Sequence, residues 1–255
     1  MDLHKPKPVR NWREFLKEIG IIVIGVGIAL GAEQAVEWWH WKNRVRDATE
    51  AMRIELRDDD GPQAYARVAM VNCFAGQLDA IQTAIEAQRP RKEIVALVDF
   101  YRPIAPTWDS NAWNAVLASD VGSHIPATRM MTWSKPYNFV PSLDKRNAQE
   151  LENRLALQPT HREGEMLSAG EAEAMLAAIA RLREDNIGMA GRSLALLRSM
   201  RDNGITLEED QQNYALKALR ARFHECVSTP SLTAPRPSRV FPDVVMPGSL
   251  YHMGN

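Results

Sequence analysis

Cysteine is nearly absent from this sequence, with two residues, Cys73 and Cys226, in 255. They fit no metal-ligand spacing, which excludes a zinc cluster and a disulfide-dense scaffold. Charge of one sign is not in excess either: 31 Lys and Arg stand against 32 Asp and Glu. That balance leaves no basic field for nucleic acid and no acidic tail. No alternating apolar–polar run bounded by hairpin turns occurs, so strands are not expected. HExxH, Cys-x-x-Cys, Gly-x-Ser-x-Gly and EF-hand spacings are all missing, and the one glycine-rich stretch lies inside an apolar run rather than a phosphate loop. The six histidines are scattered over separate stretches. His224-Glu225-Cys226 looks like the start of a nucleophile or metal site, but neighbours on a helix point about 100° apart and do not converge on one atom. The sequence therefore names no catalytic residue, no metal ligand, no cofactor and no small-molecule ligand, and reads as a non-enzyme.

What is present is one long apolar run. Residues 19–32 (IGIIVIGVGIALGA) carry no charge, and apolar character resumes at Ala35, Val36, Trp38, Trp39 and Trp41. A bilayer core about 30 Å thick needs roughly 20 helical residues, which predicts a span over 19–39. Trp12 and Phe15 then lie at one headgroup layer and Trp38, Trp39 and Trp41 at the other, where amphipathic rings are favoured. The mean hydropathy of −0.33 shows a single such segment embedded in a polar chain. Two alternatives compete. A signal peptide fits the shortness of the run and the small residues around Ala29-Leu30-Gly31, but Glu14 and Glu18 spoil a basic leader. A buried core helix fits the length, but residues 21–29 are apolar on every face.

At a repeat of 3.5, one line stays on a single face of this helix: Gly20, Ile24, Gly27, Gly31 and Gln34, then Trp38, Trp41, Val45, Ala48 and Met52. Gly27 and Gly31 have the small-xxx-small spacing that lets helix backbones approach closely, and Gln34 can hydrogen-bond across a pair. Beyond the lipid the line turns apolar with charged flanks, like a coiled-coil seam. The expected partners are the bilayer and a second copy of the chain or other membrane subunits. The plainer alternative is that the outer half packs into the chain's own bundle. Glu33 and Glu37, one turn apart near the edge of the apolar slab, are costly there and reach the interface or a neighbouring helix.

Positive charges flank the run about equally on both sides. A short basic tail resists translocation while long domains cross regardless of charge. This places the N-terminus in the cytoplasm and the large domain outside it.

Along the chain, residues 1–10 read as a disordered basic tail and 11–57 as the membrane and juxtamembrane helix. Asp58-Asp59-Asp60-Gly61-Pro62 reads as a plain helix stop. The bundle domain covers 58–227 and a Pro-rich tail 228–255. Within the bundle, Ala64, Val68, Val71, Phe74, Leu78, Ile81 and Ile85 form an apolar face, and a short helix is expected over 91–100. Asp109 or Ser110 is placed to cap a helix carrying Trp113. Pro126 opens a stretch that Pro136 and Pro141 kink or interrupt. Ser168 with Glu171 and Thr206 with Glu209 have capping-box spacing, and Gly188 and Gly191 suggest a bend or a close crossing. The fold class is all-α. Trp108, Trp113, His124, Trp133 and Tyr137 mark the one aromatic region where a site would be sought. Cys73 and Cys226 fall on apolar faces of the second and last helices; an oxidising compartment lets them bridge, and a reducing one leaves buried thiols.

Glu14-Phe15-Leu16-Lys17-Glu18-Ile19, followed by Val23-Ile24-Gly25-Val26-Gly27-Ile28-Ala29-Leu30, resembles the start of an uncharacterised family of bacterial single-span membrane proteins with a helical soluble domain. Ala112-Trp113, Ser119 and Tyr137 look like that family's middle region. The resemblance covers about the first half of the chain. It implies a bacterial, membrane-anchored helical domain and brings no activity; with the orientation argued from the basic tail, the expected place is the bacterial inner membrane with the C-terminal domain in the periplasm. The function expected is a non-enzymatic, single-pass interaction or sensing module that associates through the face from Gly20 to Met52. The alternative is an accessory subunit of a larger membrane complex.

Overall fold

The computed structural model describes residues 12–159, 164–223 and 226–231. The basic tail at 1–10, His224 and Glu225, and the Pro-rich tail from 232 onward lie outside the described residues. Among those described, the chain is all-helical, with no strand. Its elements are α1 (Trp12–Ile54), a π turn (Glu55–Asp60), α2 (Gly61–Ala69), α3 (Val71–Glu86), α4 (Arg91–Phe100), α5 (Asn111–Ala118), a 3₁₀ turn (Asp120–His124), α6 (Ala127–Tyr137), α7 (Val140–Ala156), α8 (Ala169–Asp202) and α9 (Glu209–Phe223).

The expected stop at Asp58-Asp59-Asp60-Gly61-Pro62 does not occur. One helical rod runs unbroken over Phe15–Ala69. Pro62 has no N–H, and in a regular α-helix its ring collides with the carbonyl four residues back. Here the chain widens just before it, with the Gly61 N–H donating five residues back to Leu56 O, and the helix continues. Met52, Leu56, Asp60, Ala64 and Val68, spaced by four, are all buried on one line through this passage. Gly61 is required by packing: a Cβ there would lie 2.8 Å from Leu56 O and 2.7 Å from Leu207 Cδ2.

The bundle is built around α8, which packs on α2, α3 and α7, while α9 closes over α2 and α4 lies on α3. The α8 stripe of Met175, Ile179, Leu182, Met189, Leu196 and Met200 is buried throughout. Its start is the Ser168–Glu171 capping box, fully formed, and Arg91 grips the same Glu171 with two 2.8 Å bonds. That paired guanidinium holds the Glu171 carboxyl well below the usual glutamate range. Gly188 marks a close crossing, since a Cβ there would run into the Arg146 guanidinium. The Thr206–Glu209 box is not what starts α9. Gln211 reaches back to the Glu208 N–H at 3.0 Å, two residues further along, because a glutamine three residues into a helix makes the same reach-back bond as a glutamate.

Inside the core lies a buried ion pair, Arg67 to Glu150 at 3.0 Å, both closed to solvent. Burial pushes the Glu150 carboxyl up even beside its cation. Cys73 and Cys226 are joined by a disulfide, Cα–Cα 5.0 Å. Next to it, Ser228 donates its backbone N–H to Ala69 O at 3.1 Å, so the segment after α9 is tied to the end of the rod.

Candidate functional site

The rod passes through the π turn inside the bundle, and buried polar groups concentrate there. Residues 101–110 form no helix, so their backbone groups need partners from elsewhere. The rod supplies them in order. Arg67 donates to Ile104 O at 3.1 Å and Gln63 to Thr107 O at 3.0 Å. Asp60 accepts from the Asp109 N–H at 3.1 Å, and Glu55 from the Ala112 N–H at 2.9 Å. Further along, His124 stacks on Trp41 at 3.7 Å. As the number rises from 104 to 124, the partner on the rod falls from 67 to 41, so this segment runs antiparallel along roughly 40 Å of helix.

Ser110 stands at the N-cap of α5, yet its side chain makes no capping bond there. Glu55 does that work from across the structure: its carboxylate faces the first turn of α5, where the helix N-terminus favours negative charge. Its other oxygen accepts from Tyr137 Oη at 2.9 Å, and the same hydroxyl lies 3.1 Å from Met52 O. Tyr137 is buried and stacks flat on Trp113, centroids 5.3 Å apart. Burial and the neighbouring Glu55 charge push the Tyr137 phenol far up. Asp60 is wholly buried with Oδ2 unbonded. Desolvation, with Glu55, Asp109 and Asp59 nearby, raises its carboxyl from 3.8 to about 7. The arrangement is a sealed tie between rod and bundle, with one carboxyl that gains or loses a proton near neutrality.

The aromatic region is brought together only in part. Trp113 and Tyr137 meet; Trp108 and Trp133 are buried in the core; His124 is on the surface against Trp41. No group of three or more His, Cys, Asp or Glu side chains able to hold a metal exists among the described residues. The line from Gly20 to Met52 divides. Met52 is completely buried, and Val45 and Ala48 pack against the chain's own core; Trp41 is half-buried. These four are covered by α5 and the 3₁₀ turn, which corrects the expectation that the whole seam is open to a partner. Ile24, Gly27, Gly31, Gln34 and Trp38 are exposed, and Gly20 is half-exposed. Trp12, Phe15 and Trp39 are exposed as well, as are Glu33 and Glu37.

A helix that stops at 58 leaves Asp60 hidden as a site residue, and nothing local in the sequence marks Glu55. The signal was the four-residue spacing Met52, Leu56, Asp60, Ala64, Val68, which places Asp60 on the core face once the rod is allowed to continue. No protein-family model, curated protein or solved structure matches the chain.

Proposed function

We propose that the chain is a non-enzymatic, single-pass membrane-anchored helical module. Its span would be the lipid end of the rod, with the N-terminus in the cytoplasm and the bundle in the periplasm of a bacterium. One observation carries the reading. The rod is long and apolar enough to cross a membrane, and its most apolar 18 residues are not buried at all, a property a signal sequence near the N-terminus shares. Ile21, Ile22, Val23, Ile24, Val26, Ile28 and Leu30 are each more than half exposed. An unbroken apolar surface of that extent is far larger than water-facing proteins carry. The disulfide supports a domain outside the reducing cytoplasm, and the bonds across the π turn support a rod rigidly joined to what it anchors.

Association would use the uncovered part of the line: Gly20, Ile24, Gly27, Gly31, Gln34 and Trp38. A Cβ at Gly20, Gly27 or Gly31 meets nothing within 4 Å. Gly27→Ile with Gly31→Ile therefore leaves the single chain unstrained, and any change in mass reports a second helix. The native chain is expected to resist alkaline carbonate extraction and to run as a dimer in mild detergent, and the double variant as a monomer. Unchanged mass removes the glycine contact, and recovery in the soluble fraction removes the anchor. Exposed Glu33 and Glu37 favour a second reading, an accessory subunit docking on other spans that cover these carboxylates. Membrane subunits that copurify in defined ratio would select it.

A further inference from the structure

We propose that the groove beside the outer end of the span binds the headgroup of an anionic phospholipid. This rests on the membrane reading above and adds a ligand to it. The groove, about 510 Å³, lies between α1, the 3₁₀ turn and the first turn of α6. Trp38, Trp41, Lys42, Arg46, His124 and Arg129 line it, and no Asp or Glu does. Lys42 Nζ sits 4.9 Å over the Trp38 ring, so that cation is held at the rim. The Trp41–His124 stack forms a wall, and His124 Nδ1 lies 3.0 Å from Asp120 O and 3.1 Å from Ser123 Oγ, which fixes the imidazole. Arg46 shares its guanidinium with exposed Asp47 at 3.2 Å, while Arg129 brings a second fork from another helix.

Height along the rod selects the ligand. Trp38 closes the apolar stretch, and Lys42, one turn on, is about 6 Å further along the axis. The headgroup layer is about 5–7 Å thick on each side of the hydrocarbon, so the cationic groove begins where a lipid phosphate lies. A phosphodiester offers one negative charge and acceptor oxygens for Lys and Arg donors. Its acyl chains would lie on the exposed apolar surface of α1 below Trp38, around Val36, where a free phosphate gains nothing. The occupant is therefore a lipid.

The test is native mass spectrometry of the full chain taken from nanodiscs of phosphatidylcholine and phosphatidylglycerol in equal parts. The native chain is expected to retain phosphatidylglycerol in preference. Lys42→Ala, an exposed position, should lower that retention about fivefold, and adding Arg129→Ala should lower it roughly fivefold again. Equal retention of the two lipids, variants that retain phosphatidylglycerol like the native chain, or displacement of the lipid by equimolar inorganic phosphate each overturn the site. Carbonate extraction of the same preparations reads the anchor separately. A chain that stays in the membrane without lipid preference sinks only this proposal, and one that is released sinks the anchor.

Discussion

Replacing Asp60 with asparagine should stabilise the protein in mildly alkaline solution and flatten its pH dependence. In the folded chain the Asp60 carboxyl titrates at about 7, against 3.8 as the ordinary value. A group whose folded pKa is raised adds stability that is complete below the unfolded pKa and is lost as pH rises through the folded one. The difference of about three units is worth on the order of 4 kcal/mol in total, most of it lost between pH 5 and pH 8. The asparagine side chain would keep an oxygen for the Asp109 N–H, now bonded to Oδ1 at 3.1 Å. Its amide would take the place of Oδ2, which has no partner, and a buried unpaired donor costs about 1–3 kcal/mol. The net gain at pH 8 is therefore about 1–3 kcal/mol, with parity or a small loss at pH 5. Urea unfolding of the full chain in non-ionic detergent, followed by tryptophan fluorescence at pH 5, 6, 7 and 8, measures both. Glu150 contributes a slope of the same sign but is present in both proteins, so the native-minus-variant difference isolates Asp60. Glu171 stays out of this window: its folded pKa is lowered, and its contribution is lost only as pH falls below about 4.5. Equal slopes for native and variant over pH 5–8, with no gain at pH 8, would refute the assignment.

Two further substitutions probe the frame that holds this carboxyl. Cys73→Ser with Cys226→Ser opens a loop of sequence separation 153, for which chain entropy gives up to about 5 kcal/mol, so the urea midpoint should fall sharply. The native protein should show no thiol reactive to maleimide before reduction and two after it. Gly61→Ala places a methyl against Leu56 O, Leu207 and Met200, and overpacking of this kind costs about 1–3 kcal/mol. An unchanged midpoint would mean that the π turn absorbs the methyl.

How far these features could be read in advance depended on how local their causes are. α4 runs over Arg91–Phe100, the bounds expected from sequence, because Pro90 before it and Pro103 after it act within a turn. The Ser168–Glu171 box could be read for the same reason: both partners lie within one turn. The π turn could not. Three aspartates, a glycine and a proline in a row disfavour a regular helix, and the partners that hold the π turn, among them Asp109, Ala112 and Tyr137, lie some 50 to 80 residues away. The Arg67–Glu150 pair spans 83 residues, and a lone arginine on an apolar face gives no hint of its partner. The glycine line was visible as a line, but which half the chain would cover itself was decided by α5 and the 3₁₀ turn, not by spacing.

The unbroken run over Phe15–Ala69 gives the molecule a lever with no joint of loose chain in it. At about 1.5 Å per residue it is roughly 80 Å long, and its last third is the innermost timber of the folded body. Whatever grips, tilts or turns the far end acts directly on Leu56, Ala64 and Val68, and through them on α8. Along that lever the one departure from regular α-helix is the six-residue widened turn, which carries Glu55 and Asp60.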